Sequence, residues 1–185
     1  MKKFLFAAAA STALLATPAF AQSATDSQDI AVNAVVQQEC SLANPTDVTF
    51  PVVNINEGAG ANALLLKNGS QAQSQSVWVS CNYAAKISAA SANGGLLNAA
   101  GASLVNTDSA DFTNLIEYRI KLTATDSSFP TLDFRTNGAG QSSVNAAGAF
   151  HNNATLEVRI DRDDTAKRPV AGTYSDVATI TVGPV

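Results

Sequence analysis

Apolar and polar residues alternate with a period of two along several stretches of this chain, which points to strands rather than helices. The clearest stretch sets Ile116, Tyr118, Ile120 and Leu122 on one side and Glu117, Arg119, Lys121 and Thr123 on the other. That is the signature of a strand with one face buried and one in water. Leu156, Val158 and Ile160 alternate with Glu157, Arg159 and Asp161, and Val77, Val79 and Cys81 alternate with Trp78 and Ser80. Two further strands are expected nearer the start. One carries Ile30, Val32, Ala34 and Val36 against Ala31, Asn33 and Val35, and the other is the short run Val48, Phe50 and Val52. The last segment, Tyr174 to Val182, is β-favouring on both sides and is expected to be a central strand.

Turn chemistry separates these runs. Asn68-Gly69, Asn93-Gly94-Gly95 and Asn137-Gly138 accept positive φ, and Pro45, Pro51, Pro130 and Pro169 punctuate the remainder. Several short strands joined by such turns make an all-β sandwich. Ala84 to Gly101 and Thr136 to Ala149 are rich in Ala, Ser, Asn and Gly and are expected to be loops or edge hairpins. No helix is expected over Ala84 to Ala92, which lacks an amphipathic stripe and runs into Gly94-Gly95.

The first residues have the form of an export signal. Lys2 and Lys3 precede an apolar stretch from Phe4 to Leu15, and Ala19-Phe20-Ala21 offers a small-residue cleavage site. Residues 1–21 are therefore expected to be removed, leaving residues 22–185 as one β-sandwich domain whose polar opening, Gln22 to Gln28, stays disordered until something binds it. The apolar stretch is too short to cross a ~30 Å hydrocarbon core as a helix, so no transmembrane segment is expected in the mature chain. Loss of the two leader lysines takes the formal net charge from −4 to −6. The basic residues Arg159, Arg162, Lys167 and Arg168 are interleaved with Asp161, Asp163 and Asp164, which cancels any positive footprint and argues against nucleic acid as a partner. The two cysteines, Cys40 and Cys81, enter an oxidising compartment and are expected to form a structural disulfide.

The chain carries no obvious catalytic apparatus, and no enzyme activity or cofactor is expected. The single histidine, His151, sits among turn-forming residues, and no Gly-x-Ser-x-Gly elbow is present. Asp161, Asp163 and Asp164 suggest calcium, but no glycine or closing glutamate follows at the spacing a calcium loop needs, so a charged turn is the favoured reading. Trp78 and Tyr83 flank Cys81 and offer an aromatic platform for sugar, for which packing against the disulfide is the favoured alternative.

Two segments together resemble the spore coat protein U domain family, which includes the pilin subunits of archaic chaperone-usher fibres. They are the strand-then-cysteine run Ile30 to Cys40, with its partner Val77 to Asn82, and the ending Pro169 to Val182, with Gly172, Tyr174 and Asp176. The resemblance implies an immunoglobulin-like β-sandwich that lacks one strand and is completed by a donor strand from another molecule. It implies a structural subunit of an extracellular pilus-like fibre, with a role in cell adhesion or biofilm. Such a subunit passes through the periplasm with a chaperone and an outer-membrane usher to the cell surface. The segment 22–36, with Ile30, Val32, Ala34 and Val36 on one face, is then the candidate donor strand. Two other accounts stand beside it. In one, this segment is the domain's own first strand and the protein is a self-complete secreted binding module, for carbohydrate as an example. In the other, the protein is a secreted hydrolase whose acids meet only in space.

Overall fold

The computed structural model describes residues 27–185 apart from 70, 106–107 and 126–128. The expected export signal and the residues up to 26 lie outside the described residues. The chain divides into two units, Met1–Val35 and Val36–Val185. In the first, residues 27–35 are solvent-exposed and belong to no strand.

The second unit contains twelve strands among its described residues. They are β1 (Cys40–Leu42), β2 (Gln71–Cys81), β3 (Ala85–Ser91), β4 (Leu96–Leu97), β5 (Phe112–Thr113) and β6 (Leu115–Ile116), followed by β7 (Tyr118–Thr123), β8 (Leu132–Arg135), β9 (Ser143–Asn145), β10 (Phe150–Ile160), β11 (Arg168–Pro169) and β12 (Ala178–Pro184). A five-stranded antiparallel sheet has the order β1-β2-β10-β7-β8, and a three-stranded antiparallel sheet has the order β12-β3-β9. Two short ladders, β4 with β6 and β5 with β11, knit the connections. The fold is all-β, as the alternation requires.

The longest ladder sets the frame. β2 and β10 pair over eleven residues, from Gln71 opposite Ile160 to Cys81 opposite Phe150. Because side chains alternate across a strand, this register puts Val77 and Val79 on the same face as Ala154 and Leu156. Ile120, Leu122 and Leu132 extend that buried face, and Ala85, Ile87 and Ala89 of β3 meet it from the other sheet. Each fully buried Leu or Ile contributes about 1.5–3 kcal/mol through removal of apolar surface from water.

Three stretches depart from the expectations above. Ala84 to Gly101 is not mainly loop: its first half is β3, the middle strand of its sheet, with Ala85, Ile87 and Ala89 buried. Small side chains hid a core strand there, since alanine carries a weak period-two signal yet fills a closely packed position. Past it, Ala99–Gly101 forms a 3-10 turn and Ala102–Val105 a four-residue helix. The closing segment is a strand only from Ala178 and lies at the edge of its sheet, not at the centre. Ile180 and Val182 are half-buried while Thr179 and Thr181 are exposed. β-Branched chemistry favours a strand but does not reveal how many neighbours it has. Lastly, neither Ile30 to Val36 nor Val48 to Val52 belongs to a strand, because neither segment has a ladder partner.

A disulfide joins Cys40 and Cys81, which face each other across the β1–β2 ladder with their Cα atoms 4.1 Å apart. β1 is only three residues long, and this link ties it covalently to β2 beside a three-residue ladder. Replacing both cysteines by serine should lower the unfolding free energy by about 4 kcal/mol, the chain-entropy value for a loop of this length. Urea unfolding of the oxidised and substituted proteins measures it. A loss below about 1 kcal/mol would mean that β1 docks without the link.

Candidate functional site

The two sheets do not close on each other along one side. A groove of about 1650 Å³ opens there, with an apolar floor made by Ile116, Tyr118, Ile120, Leu156 and Val158. Its near wall is Leu42 with residues 44–53, and its far wall is residues 169–180. Phe50, Val53 and Ile55 pack on the core from the near wall, and Tyr174 and Ile180 do so from the far wall. β12 has a ladder partner, β3, on one side only, so a row of its backbone groups is left without a strand beside it.

The closing signature builds the far wall. Gly172 has φ +145°, and a Cβ at that position would collide with the side-chain amide of Asn98. Asn98 is buried. It donates from Nδ2 to the Ala171 carbonyl at 3.2 Å and accepts the Gly101 N–H at 2.9 Å on Oδ1. The hydroxyl of Tyr174 donates to the Val170 carbonyl at 2.7 Å, reaching back four residues in the manner of the tyrosine corner of sandwich domains.

Asp176 ties this wall to the rest of the domain. Its carboxylate accepts the Tyr118 hydroxyl at 2.7 Å, the Asn93 N–H at 3.0 Å and the Ser91 hydroxyl. Burial alone would raise its pKa, but donation from Ser91, Tyr118 and the backbone N–H groups of Val177 and Asn93 outweighs burial and holds it below the ordinary carboxylate value. Burial and the bond to Asp176 push the Tyr118 phenol up. A second acid, Asp133, is opposed by burial in the same way. It is nonetheless held low by a two-pronged contact with Arg119 on the outer face of the five-stranded sheet.

The structure separates the other residues singled out by sequence. Gly172, Tyr174 and Asp176 come together on the far wall, and Cys40 and Cys81 lie across the β1–β2 ladder. Ile30, Val32 and Val36 are 84%, 88% and 82% exposed, and Ala34 is exposed as well. His151 sets its ring edge-on to Trp78, with centroids 4.4 Å apart. Trp78 is not packed on the disulfide as expected: it points outward and is 39% exposed, because odd-numbered residues of β2 face the core and even-numbered ones face water. Tyr83 does pack on the core. Asp164 is buried and pairs with Arg135 at 3.0 Å, and burial together with that carboxylate pushes the nearby Glu117 up. Among the described residues no three His, Cys, Asp or Glu side chains are placed to hold a metal ion.

Sequence reasoning missed the side-chain amides that bind backbone. Asn98 is one. Gln75 reaches Thr46, accepting its N–H at 2.7 Å and its hydroxyl at 2.9 Å and donating to its carbonyl at 2.8 Å. Asn82 accepts the Glu39 N–H at 2.9 Å and donates to the Gln37 carbonyl at 2.8 Å. Nothing in spacing or periodicity marks such residues, since each acts on a segment distant in the chain.

A family model described as the Spore Coat Protein U domain matches residues 26–181, most of the chain. No curated protein and no solved structure matches it.

The lowered Asp176 predicts an acid-sensitive fold. Stabilisation by a depressed carboxylate is fully present above its unfolded-state pKa and is lost as pH falls through the folded-state value. Asp176→Asn should cost about 1.5–3 kcal/mol at neutral pH, the range for hydrogen bonds to a charged group. The gap to the natural protein should then narrow at an acid pH below the ordinary carboxylate range, where the carboxylate takes up its proton. Urea midpoints at the two pH values provide the check; a gap that does not narrow would show that Asp176 does not act through its charge.

Proposed function

We propose, since the chain belongs to the Spore Coat Protein U domain family, that it is a subunit of a pilus-type fibre whose groove is filled by residues 22–36 of a neighbouring copy. One observation carries this reading. Ten large apolar side chains are exposed among the described residues. Four of them, Val52, Leu64, Leu104 and Val177, line the groove, and four, Ile30, Val32, Val35 and Val36, lie in the segment before the first cysteine. Exposed apolar surface concentrated in two places marks two interaction surfaces.

The physics is strand addition. An extended segment entering the groove gives its N–H and C=O groups to the open edge of β12 and drops alternate side chains onto the floor. Asp29 to Val36 spans roughly 26 Å at ~3.3 Å per residue, close to the ~23 Å of a seven-residue strand such as β12. Ile30, Val32, Ala34 and Val36 fall on one face of it. Backbone bonds supply affinity irrespective of sequence, while the side chains supply register.

An open apolar groove is a liability while a subunit is alone, because an unpaired edge invites aggregation. A periplasmic chaperone that covers it in transit, and an outer-membrane usher that passes the subunit to its neighbour, answer that need. In this reading the fibre stands at the cell surface and serves adhesion or biofilm, and no residue has a catalytic role.

Purified residues 22–185 should form a ladder of oligomers visible by size-exclusion chromatography. The double variant Ile30→Asp/Val32→Asp should remain monomeric, since burial of those two side chains is worth about 1.5–3 kcal/mol each, or upwards of about a hundredfold in affinity together. It should still be stabilised by an added peptide of residues 22–36. A natural protein that is a stable monomer, indifferent to that peptide, would instead be a self-complete binding module.

A further inference from the structure

The near wall of the groove is held in an unusual way. β2 pairs with β10 along its whole length, but on its other side β1 reaches only Val79 to Cys81, and the Ala43 N–H bonds to the Trp78 carbonyl. From Gln71 to Val77 that second edge of β2 has no strand beside it. The chain that follows β1 runs past this edge without forming a ladder, although Val48, Phe50 and Val52 carry good strand chemistry.

Two glutamines replace the missing ladder. Gln71 and Gln75 are four residues apart on the core-facing side of β2, where the next two positions inward are Val77 and Val79. Gln75 binds both the N–H and the carbonyl of Thr46. Gln71, with its amide turned to satisfy both neighbours, donates to the Val52 carbonyl at 2.9 Å and accepts the Asn54 N–H at 3.0 Å. Each amide therefore does for its partner what an adjacent strand would do, offering one donor and one acceptor to the backbone. A glutamine side chain stands between the two backbones, so the wall is kept apart from the five-stranded sheet.

We propose that Gln71 and Gln75 are positioning residues that hold Thr46 to Asn54 in place alongside β2 as the second docking edge for the incoming strand. The inference rests on the strand-addition reading above and assigns part of its affinity to side chains that act through the backbone of the near wall. Fixing the backbone of one residue costs about 1–2 kcal/mol of conformational entropy. A wall already ordered before docking spares the incoming strand that cost, as preorganisation does in other complexes.

The experiment uses Gln75→Met, which keeps the length and volume of the side chain and removes its three bonds to Thr46. It is made in the mature chain carrying Ile30→Asp/Val32→Asp, so that self-assembly does not compete. Two quantities are read: affinity for a labelled peptide of residues 22–36 by fluorescence anisotropy, and amide exchange at Thr46 and at Val79. The expected result is peptide binding weaker by about tenfold or more, with faster exchange at Thr46 and unchanged exchange at Val79. Unchanged affinity alongside faster Thr46 exchange would overturn the proposal. Failure of the parent chain, with Gln75 intact, to bind the peptide would instead overturn the strand-addition reading, and this inference with it. If Gln75→Met does not fold, Gln75→Glu takes its place. It keeps an acceptor for the Thr46 N–H and loses the donor to the Thr46 carbonyl, so it should weaken binding to a smaller extent; affinity equal to the parent's would again count against the proposal.

Discussion

The structure turns on an unfilled position beside β12. A strand needs a partner along each edge or water in its place, and β12 has β3 on one side only, while its first residues, Ala178 to Ile180, line the groove. The floor of that groove is the continuation of the core: Ile116, Tyr118, Ile120 and Leu156 are buried, and they line the groove as well. On the strand-addition reading, polar backbone at the rim over apolar side chains beneath is the arrangement that an extended peptide completes.

Around this position the domain spends its polar side chains on holding the walls. Asp176 fastens the far wall to Tyr118 on the floor and to Ser91 at the end of β3. Asn98 and Tyr174 fix the turn that leads there, and Gln75 fixes the near wall. Asn82 grips the backbone on either side of Gln38, next to the Cys40–Cys81 disulfide, so the chain leaves the domain from a secured root. These contacts fix both walls of the groove by hydrogen bonds to named partners.

Much of the fold was legible in the sequence, because burial on one face writes a period of two into β2, β7 and β10. The alternation at Val77 to Cys81, Ile116 to Leu122 and Leu156 to Ile160 corresponds to strands with those faces inward. β3 was not legible, since Ala85 and Ala89 fill the core without the bulk that would announce them. The edge position of β12 and the unpaired state of Val48 to Val52 were not legible either. Strand chemistry is local, whereas having a partner is a property of the whole fold. Gly172, Tyr174 and Asp176 were noticed through family resemblance; their physical work depends on Asn98, Val170 and Tyr118, which only the folded chain brings near.

The most direct measurement of the central claim is amide exchange along β12, compared between assembled protein and the Ile30→Asp/Val32→Asp monomer. If a foreign strand fills the groove, every second amide between Ala178 and Gly183 gains a backbone acceptor on assembly, and its exchange slows while the amides already paired with β3 change less. Assembled protein in which those outward amides exchange as fast as in the monomer would contradict the account.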